Sequence, residues 1–279
     1  MGRNYYYLVA GLPDLTLGGK CTTTQAELRE LVAEELTASD YGLVSRLYLP
    51  HDHSNILNRL YDADAPFDEL GVYGRDTIDE LTDKAAAVRG GVAGVEAYLN
   101  EFVADFYASE AKPTRAEAAN RLSDGQWTLI ENCGNRFMSG YAKFERQMRN
   151  VLAALQARRH GLSVDRAVVG TDDVAEALRH SRAHDFGLKS EVDYLEQLMS
   201  IFETEDLQER EMKLDALRWN FCDDAAFFDY FSVERVAVAI VQLSMSERWA
   251  RMDGEAGRAK FAAMISDLKN TYHSKKTAE

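Results

Sequence analysis

Apolar residues along this chain recur every three or four positions, the spacing that gathers them on one side of an α-helix. The clearest run lies between Gly134 and His160, where Phe137, Tyr141, Phe144, Met148, Val151, Leu152 and Leu155 form one stripe. Gly161 is the expected stop, because glycine accepts the left-handed conformation in which helices end. Val192, Leu195, Leu198, Met199 and Phe202 form a second stripe, and Val233, Val236, Ile240 and Leu243 a third that continues toward Trp249. The four prolines are Pro13, Pro50, Pro66 and Pro113, so nothing beyond Pro113 meets the strongest helix breaker. Thr24 with Glu27 and Thr114 with Glu117 carry capping-box spacing, Ser190 precedes Asp193 by the same interval, and each pair predicts a helix start. Tyr5-Tyr6-Tyr7-Leu8-Val9-Ala10, bulky and bounded by Gly11 and Pro13, reads instead as extended. Loops are expected around Gly18-Gly19, residues 64–74, Gly90-Gly91 and residues 161–170, and the charged tail at 269–279 is expected to fray.

The predicted fold is all-α, built from quasi-repeated helical units with at most a short extended N-terminal segment. A short motif supports the repetition: Asn55-Ile56-Leu57-Asn58-Arg59-Leu60 recurs as Asn150-Val151-Leu152-Ala153-Ala154-Leu155. Asn, aliphatic, Leu, two free positions and Leu implies two helices that bury equivalent faces. Asn55 and Asn150 are expected to hold helix packing through their amides, which both donate and accept. A third copy near residues 234–243 lacks the asparagine. The chain reads as one helical domain over 1–279, with subdivisions near 1–112 and 113–279.

Composition narrows the function class. At 279 residues and 46% hydrophobic content there is ample material for a buried core. The formal net charge of -14 opposes broad contact with nucleic-acid phosphates or anionic lipid headgroups, and favours a partner with a basic surface. Cys21, Cys133 and Cys222 are widely spaced and contain no CxxC pair, so reduced thiols are expected. The apolar run at residues 236–243 is far short of the roughly 20 residues that span a bilayer, and no secretory signal pattern opens the chain. A cytoplasmic protein, peripheral to any membrane complex, is the expectation.

Candidate chemistry is sparse. Gly18-Gly19-Lys20-Cys21-Thr22 has the wrong glycine spacing for a phosphate loop and a cysteine where the magnesium ligand should stand. Gly90, Gly91 and Gly94 follow no strand pattern and read as a turn between helices. His180 and His184 stand four apart on a helix expected to begin near Thr171, with Glu176 or Asp185 as a third group; without HExxH spacing they make only a weak metal site. In His51-Asp52-His53, helix capping by Asp52 is the simpler reading. Neither a GxSxG turn nor a Glu-x-x-His pair is present, so no catalytic residue and no cofactor is assigned. One basic cluster stands out: Arg136, Lys143, Arg146, Arg149, Arg158 and Arg159 on or beside the 134–160 helix. Arg146, Arg149, Arg158 and Arg159 are partner-binding candidates for an acidic protein, the alternative being that they neutralise the chain's own acidic helices.

Tyr5-Tyr6-Tyr7-Leu8-Val9-Ala10-Gly11-Leu12-Pro13-Asp14 resembles the opening of an uncharacterised bacterial family encoded among V/A-type ATPase subunits. The similarity continues through Asp185-Phe186-Gly187-Leu188, Glu191-Val192-Asp193-Tyr194-Leu195 and Phe227-Phe228-Asp229-Tyr230-Phe231. Asp52-x-x-Asn55-Ile56-Leu57 is also similar to the acid–Asn–Leu motifs of the ATPase's C-type subunit, called d in eukaryotic enzymes; the second copy here has Gln147 in place of the acid. That subunit is a helical, three-part connector between the central rotor stalk and the membrane proteolipid ring. The resemblance implies a non-catalytic subunit of a proton- or sodium-translocating V/A-type ATPase, with central stalk and proteolipid ring as partners. The alternatives are an assembly or regulatory factor of the same complex and, through His180 and His184, a metal-dependent enzyme.

Overall fold

The computed structural model describes residues 4–19, 21–62, 64–226 and 230–252, and among these no strand occurs. The tail at 269–279, Lys20 and the Phe227-Phe228-Asp229 string lie outside the described residues. The helices are α1 (Tyr6–Ala10), α2 (Gln25–Glu35), α3 (Ala38–Ser45), α4 (Leu49–Tyr61), α5 (Arg75–Leu81), α6 (Lys84–Val88) and α7 (Ala97–Ala108). They continue as α8 (Arg115–Glu131), α9 (Arg136–Arg159), α10 (Asp173–His180), α11 (Leu195–Phe202), α12 (Leu207–Ala226) and α13 (Val233–Met252). The chain is all-α.

Local signals place several ends where the sequence put them. Thr24 and Thr114 each accept the backbone N–H of the glutamate three residues on, whose carboxylate accepts the threonine N–H in return. These reciprocal bonds satisfy donors that a bare helix start leaves orphaned. Asn135 caps α9 by accepting from Met138 N at 3.0 Å. At its other end Gly161 sits at φ +64, where Leu162 N donates to Ala157 O and Gly161 N to Arg158 O. That paired pattern is a Schellman stop, and a side chain at Gly161 would be strained in it.

Two predicted boundaries fail, each because burial outweighs local preference. The N-terminal segment is helical, not extended: Leu8 and Val9 are adjacent yet both buried in one core, whereas neighbours in a strand face opposite ways. Ser190 caps nothing; the chain turns from Phe186 to Tyr194 and α11 begins at Leu195. Leu188 and Val192 are anchored in the core, and Val192 N donates to Leu188 O. The turn is paid for at Phe186, which adopts φ +55 and is held by burial and by the Arg158 guanidinium 3.6 Å from its ring centroid.

The apolar side chains form two cores. The larger unites α1 to α3 with Trp127 and Ile130 at the end of α8 and with α9 to α13. The smaller is built from α4 to α7 and the first part of α8, around Ile56, Ile78, Leu99, Val103 and Leu122. This partition differs from a cut near residue 112, since residues 5–48 pack with the C-terminal half and residues 49–122 form an inserted second core. Helix α8 belongs to both and packs against α4 on one side and α9 on the other. Helix α9 is correspondingly central: Phe137, Tyr141, Phe144, Met148 and Val151 are buried, while Leu152 and Leu155 are half-buried.

Gly125 allows α8 and α7 to approach, because a Cβ there would lie 2.3 Å from Tyr98 Cδ2. Intrinsic propensity favours alanine over glycine in a helix by about 1 kcal/mol. The clash outweighs that gain, so Gly125→Ala is expected to lower unfolding stability by about 1–2 kcal/mol in urea titrations. A more stable variant would mean that Tyr98 yields without cost.

Candidate functional site

Asn55 and Asn150 perform the same task. The Asn55 amide accepts from Asp68 N at 2.8 Å and donates to Asp68 O at 2.9 Å. The Asn150 amide accepts from Val169 N at 3.0 Å and donates to Val169 O at 2.7 Å. Each therefore closes on both polar groups of one loop residue, as a neighbouring peptide would in a sheet ladder. Both asparagines are buried, where an unmade pair costs more than a made one gains. Asn100 on α7 makes a third such clasp, accepting from Val92 N at 2.8 Å and donating to Val92 O at 3.1 Å. It reaches backward along the chain and shares no motif with the other two, so no spacing flagged it. In the third candidate copy on α13, Gln242 donates to the Asp223 carboxylate at 2.7 Å and clasps no backbone.

The first clasp is reinforced by Asp52, which accepts from Val72 N at 2.7 Å and Tyr73 N at 3.0 Å. It serves the 71–73 loop and not its own helix start, so the expected cap is a loop anchor. Gly71 permits this, since a Cβ there would meet Asp52 Oδ1 at 2.4 Å. Burial raises the Asp52 pKa to about 6 against the opposing pull of the two N–H donors. His53, next in sequence, is bonded to Tyr98 Oη at 2.6 Å, and burial lowers its pKa to about 3.

The basic cluster is consumed largely within the protein. Arg146 is buried between Glu131 at 2.5 Å and Asp172 at 3.0 Å, tying the end of α8 to the N-cap of α10, and so is withdrawn from any partner surface. Arg158 donates to the carbonyls of Ser181 and Ala183, and Arg159 pairs with Glu203 at 2.6 Å over the Phe202 ring. Arg149 binds Glu145 at 3.1 Å through Nε and lies over Trp127, its side chain 52% exposed. It begins a chain of charge that the sequence did not disclose: Glu145 also takes Arg218 at 2.5 Å, Arg218 takes Asp215 at 2.9 Å, and Asp215 takes Arg248 and Trp249 Nε1. Burial opposes the Glu145 carboxylate, but Arg218 and Arg149 hold its pKa below the ordinary range. The sequence hints at it only through the helix-neighbour spacings of Glu145 with Arg149 and of Asp215 with Arg218.

His180 and His184 do not share a helix. Helix α10 ends at His180, which pairs with Glu176 at 3.2 Å with its ring 75% exposed, and His184 lies in the following turn. Among the described residues no group of three or more His, Cys, Asp or Glu side chains is placed to hold a metal ion. A cavity of about 210 Å³ opens at the edge of the larger core, between α2, α4, α8, α9 and α13, with Tyr48, Trp127, Tyr141 and Arg149 among its walls.

A family model for proteins of unknown function, DUF2764, matches residues 2–272. The chain belongs to the DUF2764 family. No curated protein matches it. Among the described residues no helix is long and apolar enough to cross a membrane. Within the family fold, the clasped loops and the charge chain are the features with a definite physical task.

Two expectations follow. Asn55→Ala and Asn150→Ala each strand a backbone N–H and C=O and should cost about 2 kcal/mol in denaturant unfolding. Asn150→Asp, which keeps the acceptor but loses the donor, should cost at least as much. The second concerns pH. Asp52, raised from 3.8 to about 6, contributes stability that is complete below pH 3.8 and lost as pH rises through 6. His53, lowered from 6.5 to about 3, contributes stability present above pH 6.5 and lost as pH falls toward 3. Folding near pH 5 thus moves a proton from His53 to Asp52, and the two slopes offset. In Asp52→Asn the histidine slope stands alone, so urea unfolding should show stability falling between pH 6.5 and 4 more steeply than in the parent.

Proposed function

We propose that the chain is a non-catalytic subunit of a V/A-type ATPase, a C/d-like connector between the central rotor stalk and the membrane ring. The observation that carries this reading is the paired use of the acid–Asn–Leu type motif. Its two asparagines, one in each core on helices that flank α8, close on loop backbone in the same bidentate way. That a motif resembling those of the C-type subunit does the same packing work in both of its copies supports the reading.

The properties such a part needs are mechanical. Close-packed helices deform little, and clasped loops remove the softest joints between them. The net charge of -14 suits docking on basic loops of a shaft or ring, where complementary charge sets orientation more than affinity. In this reading torque passes through the protein, no nucleotide is bound, and the protein is peripheral to the membrane on the cytoplasmic side.

Purification of the ATPase through a tag on this chain is the test. Stoichiometric recovery of stalk and ring subunits in the active complex is the expected outcome. A complete, active complex that never contains the chain refutes the assignment, and recovery only from incomplete complexes replaces it with the assembly-factor reading.

A further inference from the structure

An open groove of about 520 Å³ runs between α2 and the loop at 68–70. Ala26 and Ala33 on α2, with Tyr41 and Leu70, give it an apolar wall, and Glu30, Asp68 and Glu69 add three carboxylates. Arg29, the one cation among the described residues that line it, is already engaged: it donates to Glu69 O at 3.0 Å and lies over the Tyr48 ring. Glu30 and Glu69 are exposed, and Glu69 meets Arg75 at 3.8 Å, the limit of an ion pair. Small and apolar side chains beside a negative rim fit an apolar helix stripe flanked by cations.

The end of α13 lies beside this groove. Glu247 accepts from Gln25 N, at the first residue of α2, at 2.6 Å, and Arg251 binds Glu247 at 2.7 Å from one turn further on. Burial opposes the Asp68 carboxylate, but His51, the Leu70 N–H and the charge of Arg251 hold its pKa below the ordinary range. The chain therefore leaves α13, after Met252, close to the Ala26 and Asp68 end of the groove.

Residues 253–279 lie outside the described residues, and their sequence reverses the character of the chain. Between 258 and 276, Arg258, Lys260, Lys269, Lys275 and Lys276 stand against Asp267 alone, in a protein of formal net charge -14. Phe261, Met264, Ile265, Leu268 and Tyr272 recur at the three- and four-residue spacing of one helix face. Phe261 and Leu268 have the same separation in sequence as Ala26 and Ala33, so two turns of stripe match two turns of wall, roughly 10 Å each. Asp253-Gly254-Glu255-Ala256-Gly257 supplies glycines for a turn and reaches at most about 17 Å.

We infer that this groove is the docking site of the chain's own residues 258–276, with their apolar stripe on Ala26, Ala33, Tyr41 and Leu70 and their cations on Glu30 and Glu69. The inference stands apart from the coupling role, since it concerns contacts within one chain.

Disulfide trapping in the full chain tests it. With Ala33→Cys on the groove wall and Ile265→Cys in the segment, mild oxidation should form a bond between positions 33 and 265 of one chain. Peptide mapping by mass spectrometry separates it from any bond to Cys21, Cys133 or Cys222. Adding Leu268→Asp keeps the tether but spoils the stripe, and should slow that bond roughly tenfold. Glu30→Lys with Glu69→Lys should slow it several-fold, most strongly at low salt. Ala33, Glu30 and Glu69 are exposed, so these changes leave the fold intact, which an unchanged melting temperature verifies. Failure of the bond to form, or a rate indifferent to Leu268→Asp and to the charge reversal, overturns the inference. So does a bond found only between chains, which gives the groove to a second copy.

Discussion

Loop backbone buried against helices must have its polar groups paired, and this requirement organises the protein. With no sheet to supply a ladder among the described residues, side chains take over the role. An amide suits it best, because it offers a donor and an acceptor in one plane and matches the N–H and C=O of a single residue. Asn55, Asn100 and Asn150 use it in that way, and Asp52 serves two further N–H groups with its carboxylate. A carboxylate in place of any of the three amides forfeits the donor half of the clasp.

The larger core solves a related problem with charge. Glu145, Asp215 and Arg218 lie deep among α9, α12 and α13, where a lone charge is costly and a pair is worth little more than its desolvation. The ladder escapes that balance by sharing: each carboxylate meets two guanidiniums, and its outer arginines, Arg149 and Arg248, reach solvent. Trp249 Nε1 adds a neutral donor to Asp215. Such an arrangement specifies one relative placement of the three helices, since a slip by a turn leaves buried carboxylates unmatched. Stacking of Phe144 on Phe221, with ring centroids 4.5 Å apart, fixes the same contact through apolar surface.

What the sequence disclosed follows how local each cause is. Helix class, both capping boxes and the Gly161 stop depend on residues a few positions apart, and they were legible. The repeated asparagine was legible as a motif, although its partners, Asp68 and Val169, lie 13 and 19 residues away and could not be named. The errors arose where distant burial decided the conformation. Leu8 and Val9 are pulled into a helix by the large core, and the chain from Phe186 to Tyr194 is kept in turns by buried Leu188 and Val192. The excess of arginine on α9 was visible, but its resolution into Arg146 bridging two elements and Arg149 opening a ladder required Glu131, Asp172 and Arg218, all remote in sequence.

These solutions converge on α8. Its early turns close the smaller core through Ala118 and Leu122, its later turns enter the larger one through Trp127 and Ile130, and the cavity lies beside the change-over. Rotation of one core against the other would have to break packing on both sides of a single continuous helix, which is a stiffer joint than a linker of equal length. Packing is nevertheless incomplete beside that change-over, where Ser123, Gln126 and Trp127 of α8 border the cavity of about 210 Å³.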